Sequence, residues 1–294
     1  MGGYGWGAIE ENELVRAVDV ALDLGVRLFD TADIYGFGKS EMVLGRALGS
    51  RRDGAIVATK FGVRSQNGQQ FYDTSVGWIN TAVEGSLRRL GVEYIDLYQM
   101  HYWDNRTPLG EIVGALQSLI KAGKIRAYGI TNCDPCDPAL GGHDTKIASY
   151  SFQYSLVHRE NEAKIEAMHR QTDPLFLSWG SLGQGVLSGK YNSLERLDST
   201  DRRQRDVYSN FHGAKFVAIQ QTLAEMREIA AEVGNCSLSQ LALRWIIDHF
   251  PRAVPLVGIK RPEQIVDAAG VFRLKLDASV CGRLDRLTAQ FDKS

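Results

Sequence analysis

Asp30, Tyr35, Lys60 and His101 are the side chains of this sequence whose types together could protonate a carbonyl oxygen. Asp30 and Tyr35 lie within one string, Asp30-Thr31-Ala32-Asp33-Ile34-Tyr35-Gly36, while Lys60 and His101 each close a separate β-rich run. A phenol can give its proton to the alkoxide formed when hydride reaches a carbonyl carbon, but a free pKa of about 10 makes that donation difficult near neutrality. An ammonium beside it stabilises the phenolate, so Lys60 is expected to lower the value for Tyr35, with Asp30 pairing with and orienting Lys60. His101 could hydrogen-bond the substrate oxygen and fix its approach to a hydride donor. Each residue alone has an ordinary reading, as a turn aspartate, a rim tyrosine or a satisfied histidine. Convergence in one pocket is what would turn them into a site.

The elements that must bring them together are legible as an alternation. β-rich runs cover Val26 to Thr31, Ala55 to Phe61, Ile95 to His101, Ile125 to Asn132, Ala148 to Tyr154, Pro174 to Trp179 and Val254 to Ile259. Runs of helical period lie between them: Glu13 to Leu24, Ser40 to Leu48, Ser75 to Leu90, Leu109 to Ala122, Glu162 to Gln171, Ala214 to Val233 and Leu238 to His249. Several end on glycine, at Gly25, Gly91, Gly123 and Gly234, where a C-terminal cap needs positive φ. An unbroken series with no linker or charge run predicts an α/β fold, one (β/α)8 TIM barrel over residues 1–294, in which strand ends converge on one face. The chain opens on Met-Gly-Gly-Tyr-Gly-Trp-Gly, which reads as the loop after a strand, so most of the first strand is expected to be missing. Either the true start lies upstream of Met1 or the barrel is an altered one. Gly183 to Gly213 is polar and aperiodic and reads as a long loop at the mouth.

Composition narrows the classes. Lys and Arg number 34 against 35 Asp and Glu, interspersed, for a net charge of −1, so there is no basic stripe and no nucleic-acid partner is expected. No run approaches the roughly 18 apolar residues of a membrane span, and Met1 to Asn12 lacks a leader pattern, which predicts a cytoplasmic protein. Four cysteines are too few for a disulfide framework. Gly3-Tyr4-Gly5-Trp6-Gly7-Ala8 matches the dinucleotide fingerprint in letters, but no strand precedes it. Cys133-Asp134-Pro135-Cys136 has metal-like spacing with only His143 nearby, and is read as structural; no metal is expected.

Longer strings carry a resemblance. Phe29 to Gly36 with Ser40-Glu41 and Leu44-Gly45, then Thr59-Lys60-Phe61-Gly62, Leu90 to His101 and Gly123 to Asn132, resemble the aldo-keto reductases in content and order, over essentially residues 2 to 292. The resemblance implies that Asp30, Tyr35, Lys60 and His101 are a catalytic tetrad with Tyr35 as general acid, in an enzyme that reduces a small-molecule aldehyde or ketone with NADPH. It places Thr131, Asn132 and Gln153 at the nicotinamide carboxamide and Trp179 against the nicotinamide ring. Ser181, Leu182, Gly183, Gln184, Gly185 and Lys190 would fold over the pyrophosphate. Gly258, Ile259, Lys260, Arg261 and Gln264 would face the adenosine 2′-phosphate, which a Lys-Arg pair suits. Gln264 stands where a second arginine is usual, and Ala268 where asparagine often meets the adenine. Cys133 to Lys146 is short where relatives carry a full helix, and relatives have a strand and a small hairpin before the first loop, so the barrel is expected to lack both. Trp6, Tyr102 and Trp103, with Tyr4 and Phe37, are expected to rim the substrate pocket. A nucleotide-binding regulatory subunit without turnover is the alternative function, and a monomer is favoured.

Overall fold

Strands built from β-branched and aromatic residues, buried on both faces, alternate here with amphipathic helices, and that pattern sets the architecture. The computed structural model describes residues 5–133, 147–171, 174–193, 197–250 and 252–291. In chain order the strands are β1 Leu28–Asp30, β2 Ile56–Phe61, β3 Val63–Gln66, β4 Gln69–Tyr72, β5 Ile95–Met100, β6 Ile125–Thr131, β7 Ser149–Gln153, β8 Leu175–Trp179 and β9 Ala253–Pro255. The helices are α1 Glu11–Asp23, α2 Lys39–Leu48, α3 Val76–Leu90, α4 Leu109–Lys121, α5 Glu162–Gln171, α6 Gly213–Glu232, α7 Leu238–His249, α8 Pro262–Ala269 and α9 Ala278–Thr288. Local chemistry fixes several ends: Ser75 accepts from the Trp78 amide at the start of α3, and Ser237 and Gln240 form a capping box on α7.

Seven strands form one all-parallel sheet in the order β1-β2-β5-β6-β7-β8-β9, while β3 and β4 pair antiparallel on their own. Register explains the site. Leu28, Ala58 and Leu97 belong to a cluster contributed by strands and their immediate ends, with Ala127, Ala148, Leu177, Val254 and Leu256, which is the inside of the barrel. Side chains alternate along a strand, so two residues further on Asp30, Lys60 and Gln99 form the next inward layer, with Asp30 opposite Ala58 and Lys60 opposite Gln99 in the ladders. A polar layer therefore sits on an apolar one. The larger core, including Phe61, Tyr98, Tyr154, Phe176 and Trp245, lies between sheet and helices.

Among the described residues the sheet does not close on itself. Among the described residues β1 and β9 are both edges, and a cavity of about 470 Å³ lies between them, lined by Leu28, Phe29, Ala253, Val254 and Leu256 and by α1 and α8 residues such as Ala21 and Ala268. Ile56 N–H donates to Arg27 and Thr31 N–H to Ala58, so the alternate residues Leu28 and Asp30 turn their backbone groups to this seam. On the other side the Ala253 N–H is taken by the Phe250 carbonyl at 2.8 Å, and Pro255 faces the seam, a proline being tolerated where no ladder needs its N–H. Outside, α1 packs directly on α8, so the helical ring is continuous where the sheet is not.

Two boundaries differ from the sequence expectation. The last strand is only Ala253–Pro255, because Val257 to Ile259 leave the ladder, and the first is Leu28–Asp30. The β3-β4 hairpin, α8 and α9 are additional to the expected elements. Gly183 to Gly213 is a connection with short 3-10 turns at Gly183–Ser188, Arg202–Gln204 and Ser209–Phe211. Cys136 and His143 lie outside the described residues, and Cys133 is buried in the core. Among the described residues no helix is long and apolar enough to cross a membrane.

Candidate active site

The Lys60 ammonium lies 2.6 Å from both carboxylate oxygens of Asp30 and 3.0 Å from the Thr31 carbonyl. Neighbouring strands in register place them there, and Gln99 adds an amide donor to Asp30 at 3.3 Å from the third strand of the ladder. The ammonium is also 5.3 Å from the centre of the Tyr35 ring. Tyr35 meets His101 edge-on, centroids 5.7 Å apart. The four residues singled out from sequence are thus gathered at the upper end of β1, β2 and β5.

Their electrostatics differ in one respect from expectation. Burial raises the Tyr35 phenol above its ordinary value; Lys60 lowers it as expected, but without reversing the rise, so the net shift is upward. The reason is that sequence shows the cation but not the loss of water around the phenol. Burial alone would pull Lys60 down, yet Asp30 and Tyr35 outweigh it and the ammonium is held above its usual range. His101 is pushed down to about 3 by burial and then by Lys60, so its imidazole is neutral.

A carboxylate brace stands behind this layer. Glu41 of α2 is fully buried, accepts from Thr59 at 2.7 Å and pairs with Arg89 of α3 at 2.6 Å. Asp33, in the turn leading to Tyr35, is raised to about 7, by burial first and by Glu41 second.

The remaining sequence-predicted positions fall into three groups. Asn132 adopts a positive φ of 58°, accepts from the Trp179 indole at 3.0 Å and reaches the His101 carbonyl at 3.4 Å. Thr131 beside it is buried, and its hydroxyl has no hydrogen-bond partner among the described residues. Gln153 and Gln184 side chains both flank Gly180. Ser181 donates to the Ser178 carbonyl at 2.7 Å, knitting β8 to the turn that follows, and Leu182 packs on the core. Gly183 and Gly185 have positive φ, Asn210 bonds Gln184 at 2.8 Å, and the Lys190 ammonium lies 4.8 Å over the Tyr191 ring. The second group is cationic. Burial, and then the charge of Arg203, holds Lys260 below its usual range, with Lys190 and Arg261 adding to the effect. Lys260 binds the Trp6 carbonyl and reaches that of Ala8 at 3.4 Å, while Gln264 accepts from the Lys260 and Arg261 amides at 2.7 and 3.2 Å. Ile259 is buried, and Gly258 lines the seam. The third group is the rim. Trp6 packs edge-on against Tyr208 at 5.0 Å, Tyr102 stacks on His101, and Trp103 donates to the Thr107 carbonyl at 2.8 Å while packing on the core.

Sequence reading gave no role to Gln99, Arg203 or Tyr72. Gln99 is a polar residue inside a buried strand, a usable signal. Arg203 binds Asp201 at 2.8 Å and the Trp6 carbonyl at 2.9 Å, joining the long connection to the first loop, and nothing local in the sequence marks that pairing.

A parallel barrel carrying this layer at its mouth has the form of a barrel oxidoreductase. The profile of the Aldo/keto reductase family matches residues 1–289, and the chain belongs to that family. It is 32% identical over 267 residues to Aldo-keto reductase YhdN of Bacillus subtilis, covering 90% of this chain and 80% of that protein. It is 30% identical over 285 residues to the aldo-keto reductase yakc of Schizosaccharomyces pombe, named for NADP(+), covering 94% and 82% respectively. The glycerol dehydrogenase AKR11B4 from Gluconobacter oxydans superposes with a TM-score of 0.88 at 33% identity, covering all of this chain and 90% of that one.

Proposed function

We propose that this chain reduces an aldehyde or ketone to the alcohol with NADPH, Tyr35 delivering the proton. The observation that carries the reading is the Lys60 ammonium, clamped at 2.6 Å by both oxygens of Asp30 and set 5.3 Å from the Tyr35 ring beside a neutral His101.

The residues present fit a phosphorylated nicotinamide dinucleotide. Lys260, Lys190 and Arg261 gather positive charge at one side of the mouth, beside an Arg203 paired with Asp201, and bound phosphates would suit it. Asn132, held by Trp179, and the Thr131 hydroxyl, without a partner among the described residues, offer polar atoms where a carboxamide would lie. NADPH, when bound, supplies the hydride. Burial keeps Tyr35 protonated, so the phenol holds its proton until an alkoxide develops against it. Lys60 then stabilises the phenolate left behind, and Asp30 and Gln99 hold Lys60 in place. His101, uncharged, orients the carbonyl by a hydrogen bond rather than by charge. The relative named for NADP(+) supports the cofactor.

The test is a titration with NADPH and with NADH, followed by tryptophan fluorescence, and then NADPH oxidation against a panel of aldehydes and ketones. NADPH binding with turnover of at least one carbonyl is expected. Lys260→Ala should weaken NADPH about tenfold while leaving NADH little changed. Binding without any turnover across the panel would overturn the reading.

A further inference from the structure

His101 must present one ring nitrogen to a carbonyl in the same orientation at each turnover. Ordinarily a hydrogen bond to the other nitrogen fixes both tautomer and ring plane. Here Nδ1 is buried and has no hydrogen-bond partner among the described residues. What confines the ring is aromatic. Tyr102 stacks on it, centroids 5.1 Å apart and planes 21° apart, and Tyr35 meets it edge-on at 87°. Tyr102 is itself backed by Tyr72, stacked at 5.0 Å and 16°.

Tyr72 ends β4, the return strand of the hairpin between β2 and α3. Its carbonyl accepts from Arg106 at 3.1 Å, in the loop that follows Tyr102. Asp104 in that loop accepts from the amides of Arg106 and Thr107 at 2.9 Å, and from Thr74 at 3.0 Å just beyond the hairpin. Hairpin and loop are thereby one braced unit, with the Tyr72-Tyr102-His101 stack at its inner side.

We propose that Tyr72 is a positioning residue for carbonyl reduction: through Tyr102 it sets the plane of His101, and with it the face of the carbonyl offered for reduction. The proposal rests on carbonyl reduction as the activity of this site. A stacked pair contributes enough to change the population of one ring orientation by up to about tenfold. Losing it should therefore loosen orientation without removing any group that touches substrate.

The experiment compares Tyr72→Leu, which keeps bulk but removes the ring, with Tyr72→Phe, which keeps the ring. A prochiral aryl methyl ketone is reduced with NADPH, and kcat, KM and the enantiomeric excess of the alcohol are measured. Tyr72→Leu should lower kcat about three- to tenfold and erode the enantiomeric excess, with NADPH affinity unchanged, and Tyr72→Phe should restore both. A higher KM with kcat and enantiomeric excess intact would mean that Tyr72 only lines the pocket, and would overturn the proposal, as would equal losses in both variants. Nitrogen-15 resonances of the His101 imidazole in the NADPH-bound protein give a readout without turnover. Tyr72→Leu should shift or broaden them and Tyr72→Phe should not; an unchanged spectrum in Tyr72→Leu also overturns the proposal. If the wild type reduces no carbonyl, the activity reading falls, while the resonance comparison still decides whether the stack orients His101. Should Tyr72→Leu fail to fold, the pair Tyr102→Leu and Tyr102→Phe asks the same question one ring closer.

Discussion

Tyr35 and Asp33, two residues apart in one turn, are both pushed up by burial, with different consequences. For Tyr35 the consequence, on the proposed function, is catalytic. Replacing it with Phe removes the proton donor but neither the pocket nor the cation, so Tyr35→Phe should bind NADPH normally and lose on the order of a hundredfold or more in turnover. Parallel kcat measurement and cofactor titration check this. For Asp33 the consequence is stability. Unfolded, its carboxyl releases its proton near 3.8; folded, it holds on until about 7. Between those values the folded state binds more protons, so stability falls as pH rises through the window, and the full cost is present above it. Asp33→Asn, never ionised, should gain on the wild type by about 1–3 kcal/mol as pH is raised from about 5 to 8. Urea midpoints at the two pH values check it, and an offset that does not change with pH would refute it. At this scale the sequence made the gathering of Asp30, Tyr35, Lys60 and His101 legible, because residue types and strand ends are enough to expect it. It could not show the sign of the Tyr35 shift or the role of Gln99, since one depends on desolvation and the other on ladder register.

Among elements, the α2-α3 contact illustrates how closely the brace behind the site is built. A Cβ on Gly45 would lie 2.1 Å from the Leu90 carbonyl oxygen, which is backbone and cannot swing away. Gly45→Ala should therefore destabilise the fold by about 2–3 kcal/mol, measured by urea denaturation. Because α2 carries Glu41 and α3 carries Arg89, activity should fall with it. The helices and central strands were readable from period and glycine stops. The hairpin was readable too, in principle: Asn67 and Gly68, both at positive φ, are the two-residue loop that such turns favour. Its strands are hidden by polar residues, Arg64-Ser65-Gln66 and Gln69-Gln70, which show no hydrophobic alternation because the hairpin lies outside the barrel. The last strand was over-read because Val257 and Ile259 look like strand residues but pack as a loop against the core.

At the level of the whole molecule, the open seam between β1 and β9 is the dominant departure from a regular barrel among the described residues. Among the described residues the backbone groups of Leu28 face the seam, whereas β5 and β6 are flanked on both sides. Native-state hydrogen exchange should reflect this, with the Leu28 amide exchanging at least about a hundredfold faster than those of Tyr98 and Gly129. Uniform protection across the sheet would contradict it. A closed sheet fixes its own girth, since strand number and stagger together set the radius. A hoop cut between β1 and β9 has lost that constraint. What holds the two flanks of the mouth at their spacing, Asp30 on one and Trp179 on the other, is then the packing of α1 on α8. On the proposed function, the width of the mouth is accordingly set by buried side chains between two helices of the outer ring, such as Ala21 and Ile265, away from the residues assigned to the chemistry.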